Sequence, residues 1–324
     1  MKGRLISIGL LGIFASLVAS APATAQSQYP SKPLTMIVPF PAGGRTDVVG
    51  RIVAQQLSSV IGKPIAVVNK PGASSVLGAR EVASAPPDGY TIGFFSTSAV
   101  TSQYTVPTPI SLSNFDLVAI VNTDPAALAV QYNAPWKTLK DFIIDAKANP
   151  GKFRMGMIPG ASAQIFAAGF ANAAGVNLIM VPFKGDSDGA IALAGGHIDV
   201  HVAVPVSYKS LEAGKKVRVL AVADTARSPL YGNLPTFKDS GVDLVIAAFH
   251  GIYVPKGTPA EIQNKLADAI EKAMKSQELQ KNMDNVGAGV AFIRGADAKT
   301  YLAKQDETYR TIIDKLGLRV PEAK

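Results

Sequence analysis

Pro39, Phe40, Pro41, Ala42, Gly43 and Gly44, followed at once by Arg45, Thr46 and Asp47, form the stretch of this chain best suited to gripping an anion. Proline cannot donate to a central strand, so the apolar run Met36 to Val38 must stop there. Gly43 and Gly44 can take backbone angles closed to other residues. Val48, Val49, Ile52, Val53, Leu57, Val60 and Ile61 then repeat with helical spacing. A turn made of backbone thus feeds a helix whose first amides have no intrahelical acceptor, and such amides favour negative charge.

The side chains of this turn offer several roles. Thr46 is placed to cap the helix, to bond a ligand, or both. Asp47 is negative, which suits the helix N-terminus or an oriented water better than a ligand carboxylate. Arg45 has the geometry to fork onto a second carboxylate, or to stay in solvent. Three further strand ends carry candidates: Thr97 and Ser98; Ala161, Ser162, Ala163 and Gln164, with Ser162 either a cap or a donor; and Lys184 with Gly185. His250 follows Phe249 near the return crossing between lobes and either faces the cleft or packs in the hinge.

Metal and nucleophilic chemistry find little support. There is no cysteine, which excludes disulfides and thiolate chemistry. His197 and His201 have the spacing of a helical metal pair but lie in a strand-like run, where they would stand about 13 Å apart. Gly-x-Ser-x-Gly occurs once, at Gly185-Asp186-Ser187-Asp188-Gly189, while no phosphate loop or His-Glu-x-x-His occurs. No catalytic residue, metal or cofactor is expected. The rival reading is an exported α/β hydrolase.

The elements that position the candidates alternate strand and helix. Met36–Val38, Asp47–Ile61, Ile65–Asn69, Ser75–Ala83 and Tyr90–Phe95 read as βαβαβ, punctuated by Lys70-Pro71-Gly72 and Pro86-Pro87-Asp88-Gly89, which implies a covered parallel sheet. Asn122-Thr123-Asp124-Pro125 between two apolar runs predicts a crossing into a second lobe. That lobe holds a helix capped by Thr138, strands at 153–157, 178–182, 198–204 and 217–223, and helices at 162–174 and 187–194. Ile246–Tyr253 returns to the first lobe, where helices at 260–283 and 297–316 pack. The predicted lobes are 26–124 with 248–324, and 125–247.

The chain has 324 residues, and residues 1–25 read as a signal peptide: Lys2 and Arg4, an apolar run from Leu5 to Val18, and Ala23-Thr24-Ala25 as the cleavage site. That predicts export. Loss of Lys2 and Arg4 lowers the net charge from +8 to +6. Lysine and arginine are scattered with no basic, aromatic-laced stripe, so nucleic acid is not an expected partner.

A series of segments resembles one family in order along the mature chain: Tyr29-Pro30-Ser31-Lys32-Pro33, Ile37-Val38-Pro39-Phe40, Gly43-Gly44, Asp47, Asn69 to Ala73, Pro87 to Thr91, Lys147 to Lys152, Val181 to Gly185, Gly195 to Asp199, Leu220-Ala221-Val222, Gly251, and Pro255 to Pro259. These are similar to the Bug, or TctC, family of periplasmic solute-binding receptors of tripartite tricarboxylate transporters. The resemblance implies a type II periplasmic-binding-protein fold, two α/β lobes with a ligand cleft and two crossing segments. It implies a monomer that closes on a small carboxylate, held in part by Phe40 to Asp47, and delivers it to membrane permease subunits; a sensor feeding a signalling receptor is the alternative. Three positions depart from the usual pattern. Arg45 replaces a third glycine, Phe249 replaces a tryptophan, and Asp186-Ser187-Asp188 replaces small residues. Phe40, Phe183, Phe249 and His250 could wall a flat ring, so the first ligand expected is an aromatic mono- or dicarboxylate of the terephthalate type. Aliphatic di- or tricarboxylates and acidic amino acids come next.

Overall fold

The computed structural model describes residues 29–107, 110–158, 162–183, 185–228 and 231–321. The signal-peptide expectation, and the candidates Ala161 and Lys184, lie outside them. Two sheets organise the chain. The first contains β1 (Leu34–Val38), β2 (Ile65–Asn69), β3 (Thr91–Ser96), β4 (Phe115–Pro125), β10 (Ala247–Pro255) and β11 (Val290–Arg294), in the order β11-β4-β10-β3-β1-β2. The second contains β5 (Ala127–Gln131), β6 (Arg154–Met157), β7 (Ile179–Pro182), β8 (Val200–Ala203) and β9 (Val217–Val222), in the order β7-β6-β8-β5-β9. β1 runs parallel to β2 and β3, while β10 is antiparallel to both β3 and β4.

The chain changes sheet between Pro125 and Ala127 and returns at Ile246 and Ala247. These two segments are bonded to each other, Ala126 N–H to the Ile246 carbonyl at 3.0 Å, and both to Ala223, at 2.7 and 3.1 Å. The connection between lobes is therefore a three-strand backbone knot and not a loose linker.

Helices α1 (Arg45–Ile61), α2 (Val76–Ala83), α3 (Ser98–Thr105), α8 (Ala260–Met274), α9 (Gln277–Asn285) and α10 (Gly295–Lys315) cover the first sheet. Helices α4 (Leu139–Ala148), α5 (Ser162–Ala174), α6 (Asp186–Ala194) and α7 (Lys209–Ala213) belong to the second. Local chemistry sets their ends. Thr138 and Asp141 form a complete capping box on α4. Gly62, at φ +67°, ends α1 with its N–H on the Ser58 carbonyl. The single helix expected over 260–283 is two, because the Ser276 side chain accepts from Leu279 N–H and starts α9 afresh.

Helix α10 also departs from expectation. It packs on the first lobe but reaches the second: Tyr309 and Phe166 of α5 have ring centroids 6.5 Å apart, and Gly169 of α5 leaves no room beside Ile312. The largest apolar core accordingly runs without a break from Phe95 and Phe115 through Tyr309 and Ile313 to Phe142 and Phe170. A second core lies under α1, α8 and α9, and a third between α6 and the second sheet.

Candidate functional site

The turn between β1 and α1 is held from within by Asp47. Its buried carboxylate accepts from Gly43 N–H at 2.8 Å, Arg51 Nε at 3.0 Å and Asn69 Nδ2 at 2.8 Å, and Asn69 also donates to the Phe40 carbonyl. Burial pushes the Asp47 carboxyl up, but the hydrogen bonds from Arg51, Gly43 and Asn69 outweigh it and hold the group below the usual aspartate range. Gly43 sits at φ +80°, which a residue with a side chain adopts only under strain. The turn's shape is thus held by the chain's own side chains.

Its outer edge, Pro41 to Gly44, is exposed, and Phe40 and Arg45 are half-buried. Gly44 is the N-cap of α1, and no side chain caps that helix. Thr46 is turned inward instead: its hydroxyl lies 3.2 Å from His250 Nε2. The first amides of α1 therefore face the exposed turn.

Behind the turn runs a buried polar chain that joins α1 to β4, β10 and the α9–β11 connection. Asn122 Nδ2 donates to the Gly289 carbonyl and to Asp124, which orients the amide so that Oδ1 faces His250 Nδ1 at 2.6 Å. His250 thus carries its proton on Nδ1 and accepts from Thr46 at Nε2, while its ring stacks on Phe94. Asp124, also buried, accepts from Gly289 N–H at 2.8 Å and from Arg45 Nη2 at 2.5 Å. Arg45 reaches the Gly287 carbonyl as well, at 3.3 Å, and its Nε is buried with no partner.

Burial, and secondarily the Arg45 charge, pushes His250 down to about 3; burial alone pushes His201 down to about 4. Both are neutral when folded, whereas an unfolded histidine takes up a proton near pH 6.5. Below that pH the unfolded chain binds more protons, so stability falls as pH drops from about 6.5 towards 4. We expect thermal midpoints measured across this range to fall on acidification, and His201→Phe to flatten part of the slope while leaving the midpoint at pH 8 nearly unchanged.

Other expected site residues divide between edge and interior. Ser98 is half-buried and shares a hydrogen bond with Ser96. Thr97 is buried and spent on β10, its hydroxyl accepting from Phe249 N–H at 3.0 Å. In the second lobe Ser162 and Gln164 at the start of α5 are half-buried, and Ala163 is core. Gly185 is the extended N-cap of α6, again with no side-chain cap and with open space around its Cα.

The aromatic wall is corrected. Phe249 is fully buried with its ring against Tyr301, and His250 is engaged on both ring nitrogens, so only Phe40 and Phe183 of the four remain half-buried. Strand alternation explains this: Phe249 and His250 point to opposite faces of a sheet covered on both sides. His197 is exposed and His201 is buried, and among the described residues no three potential ligands cluster around a metal position.

The lobes touch where Gly287 of the α9–β11 connection meets Val206 after β8. Beside this contact a cavity of about 500 Å³ opens between the lobes, lined among others by Lys209, Glu212, Tyr231, Asp284 and Gly289. Residues 40–47 do not line it, but Arg45 adjoins it through the Gly287 carbonyl. Asn122, Asp124, Tyr231 and Gly287 were not among the expected site residues; only the turn residues Asn122 to Pro125 carried a local signal, as a crossing.

Two α/β lobes, a preformed backbone turn and uncapped helix starts are the architecture of solute-binding proteins. Residues 49–318 match the family described as "Tripartite tricarboxylate transporter family receptor" (TctC). A Cupriavidus necator relative, "UPF0065 protein in gbd 5'region", is 32% identical over 309 residues, covering 93% of each chain. A TctC solute binding protein from Polaromonas superposes with a TM-score of 0.83 at 34% identity, over 89% of this chain and 99% of that one. R. palustris Rpa4515 with adipate (TM-score 0.72, 26% identity, 90% and 99% covered) and MatC of Rhodopseudomonas palustris with bound malate (0.66, 25%, 88% and 99%) share the fold. The chain belongs to the TctC receptor family. No helix among the described residues is long and apolar enough to cross a membrane.

Proposed function

We propose that this chain is an exported, periplasmic receptor that captures a small carboxylate between its lobes, without turnover, and hands it to the membrane subunits of a tripartite transporter. The observation that carries the reading is the turn at Pro41 to Gly44: exposed, locked by Asp47 from behind, and backed by the uncapped N-terminus of α1. The uncapped start of α6 supplies a second set of amides from the other lobe. Adipate and malate in the structural neighbours support carboxylate as the ligand class. The sheet change at Pro125 and Ile246 supports lobes of 26–124 with 248–324, and 125–247. Phe40 and Phe183 alone give little wall for an aromatic ring, so a short aliphatic carboxylate is favoured over a terephthalate-type acid. Ser98, Ser162, Lys184 and Gly185 are the proposed contacts beyond the turn.

Gly44 provides the test. It has φ −72°, which any residue adopts, and a side chain there would meet only the Pro41 carbonyl oxygen at 3.4 Å. Gly44→Val should fold normally yet cover the amides, weakening every bound carboxylate tenfold or more, about 1.4 kcal/mol, in calorimetric titration. An unchanged affinity would mean that the turn is not the anchor.

A further inference from the structure

Asp186 opens α6, on the lobe facing Arg45. Its Oδ1 is buried and accepts no hydrogen bond. Beneath the same helical turn lies His201, fully buried, whose ring is packed against Gly156 and Gly189. The Tyr208 hydroxyl donates to the His201 carbonyl at 3.0 Å and lies 3.1 Å from Nδ1. With that donation made, Nδ1–H donates to the hydroxyl and Nε2 is left as a second acceptor, buried without a partner. Buried acceptors without donors are costly in a folded chain and point to a missing donor.

Charge narrows the donor's identity. In the first lobe Arg45 is neutralised by Asp124, and Asp47 by Arg51. Arg45 acts on Asp186 from across the cleft and Tyr208 lies beside it with Glu212 on its other side; His201 packs against Gly189 of the same helix, Asp188 shares its first turn, and Lys184 precedes it outside the described residues. Arg45 is already engaged, and among the described residues Asp186 has no ion-pair partner, so it adds negative charge to the cleft. A second ligand carboxylate placed there would be repelled; a cationic donor would be held by a charge-assisted bond.

We infer that Asp186 is a specificity residue that selects carboxylates bearing an ammonium group over dicarboxylates. The inference rests on the receptor reading above, in which the β1–α1 turn holds the shared carboxylate. Burial pushes the Asp186 carboxyl up to about 6, partly offset by Arg45. An ammonium ligand therefore binds tighter as pH rises from 5 to 7.5 and Asp186 ionises, whereas a protonated Asp186 donating to a second carboxylate would give the opposite slope.

Matched pairs test this in calorimetric titration: succinate against 4-aminobutyrate, and adipate against 6-aminohexanoate. The amino member of at least one pair should bind tenfold or more tighter than its twin. Asp186→Asn should remove that preference and its pH dependence without weakening the twin. A wild-type preference for the diacids, or an amino preference untouched by Asp186→Asn, overturns the assignment. Diacid binding that is lost in Gly44→Val would then leave the receptor reading standing, whereas binding of no carboxylate by the folded protein removes both.

Discussion

Asp124→Ala is expected to lower the unfolding free energy by about 2–4 kcal/mol in urea denaturation, somewhat below the about 3–5 kcal/mol found when a fully buried charge pair loses one member. The carboxylate is buried and gathers three donors: Arg45 Nη2, Asn122 Nδ2 and Gly289 N–H. Its removal leaves the Gly289 amide and the Asn122 amide without their acceptor in the interior, which is the costly part. Arg45 is about a third exposed, so its freed charge finds water and the total stays below the upper end expected for a fully buried pair. Asp124→Asn, which keeps one oxygen for Gly289, should lose less than half as much. Arg45→Met combined with Asp124→Ala should cost less than the sum of the two single changes, because each removes a partner the other needs. Because the largest core is continuous through both lobes, the loss should appear as a shift of one transition and not as early melting of the first lobe. Additive single and double changes would show that Arg45 and Asp124 are not coupled in solution.

The same network marks how far local sequence could be read. Strand and helix positions followed from apolar spacing and from Pro and Gly punctuation, since each depends on residues a few places apart: Ile65–Asn69 and Ser162–Ala174 fall where the pattern puts them. β11 and α3 were not legible. Val290–Arg294 is a half-buried edge segment with no alternation to reveal it, and Ser98–Thr105 is polar on most faces. The opening turn was legible because its chemistry is contiguous. The partners of Arg45 and Thr46 were not, because Asp124 lies 79 and His250 204 positions further along. Which residue meets which across such distances is decided by strand register, and one step along β10 would have sent His250 to the other face in place of Phe249. Asp186 was visible as a departure from family pattern, but its burial opposite Arg45 depends on how the two lobes meet.

Gly287→Ala should weaken carboxylate binding tenfold or more while leaving the first lobe's structure intact, because it obstructs the contact between lobes and not the turn. Gly287 ends α9 in the left-handed region at φ +59°, its N–H on the Asp284 carbonyl, and a Cβ there would occupy the space of the Val206 side chain from the other lobe. Two costs therefore arise. The left-handed backbone costs an alanine about 1 kcal/mol whether the lobes are open or closed, so it lowers stability without touching the closing equilibrium. The overlap with Val206 exists only when the lobes meet, so it acts on closure, and a penalty of about 1.4 kcal/mol on the closed state alone lowers apparent affinity tenfold. Val206→Ala separates the two. Added to Gly287→Ala, it clears the overlap and should restore affinity, while the stability lost to the strained backbone stays lost. Small-angle scattering supplies the second readout: with saturating ligand the single variant should keep a larger radius of gyration than the wild type, and the double variant should match it. Wild-type affinity and compaction in Gly287→Ala would show that ligand is held with these two residues apart, and that closure is set by the knot at Ala126, Ala223 and Ile246 alone.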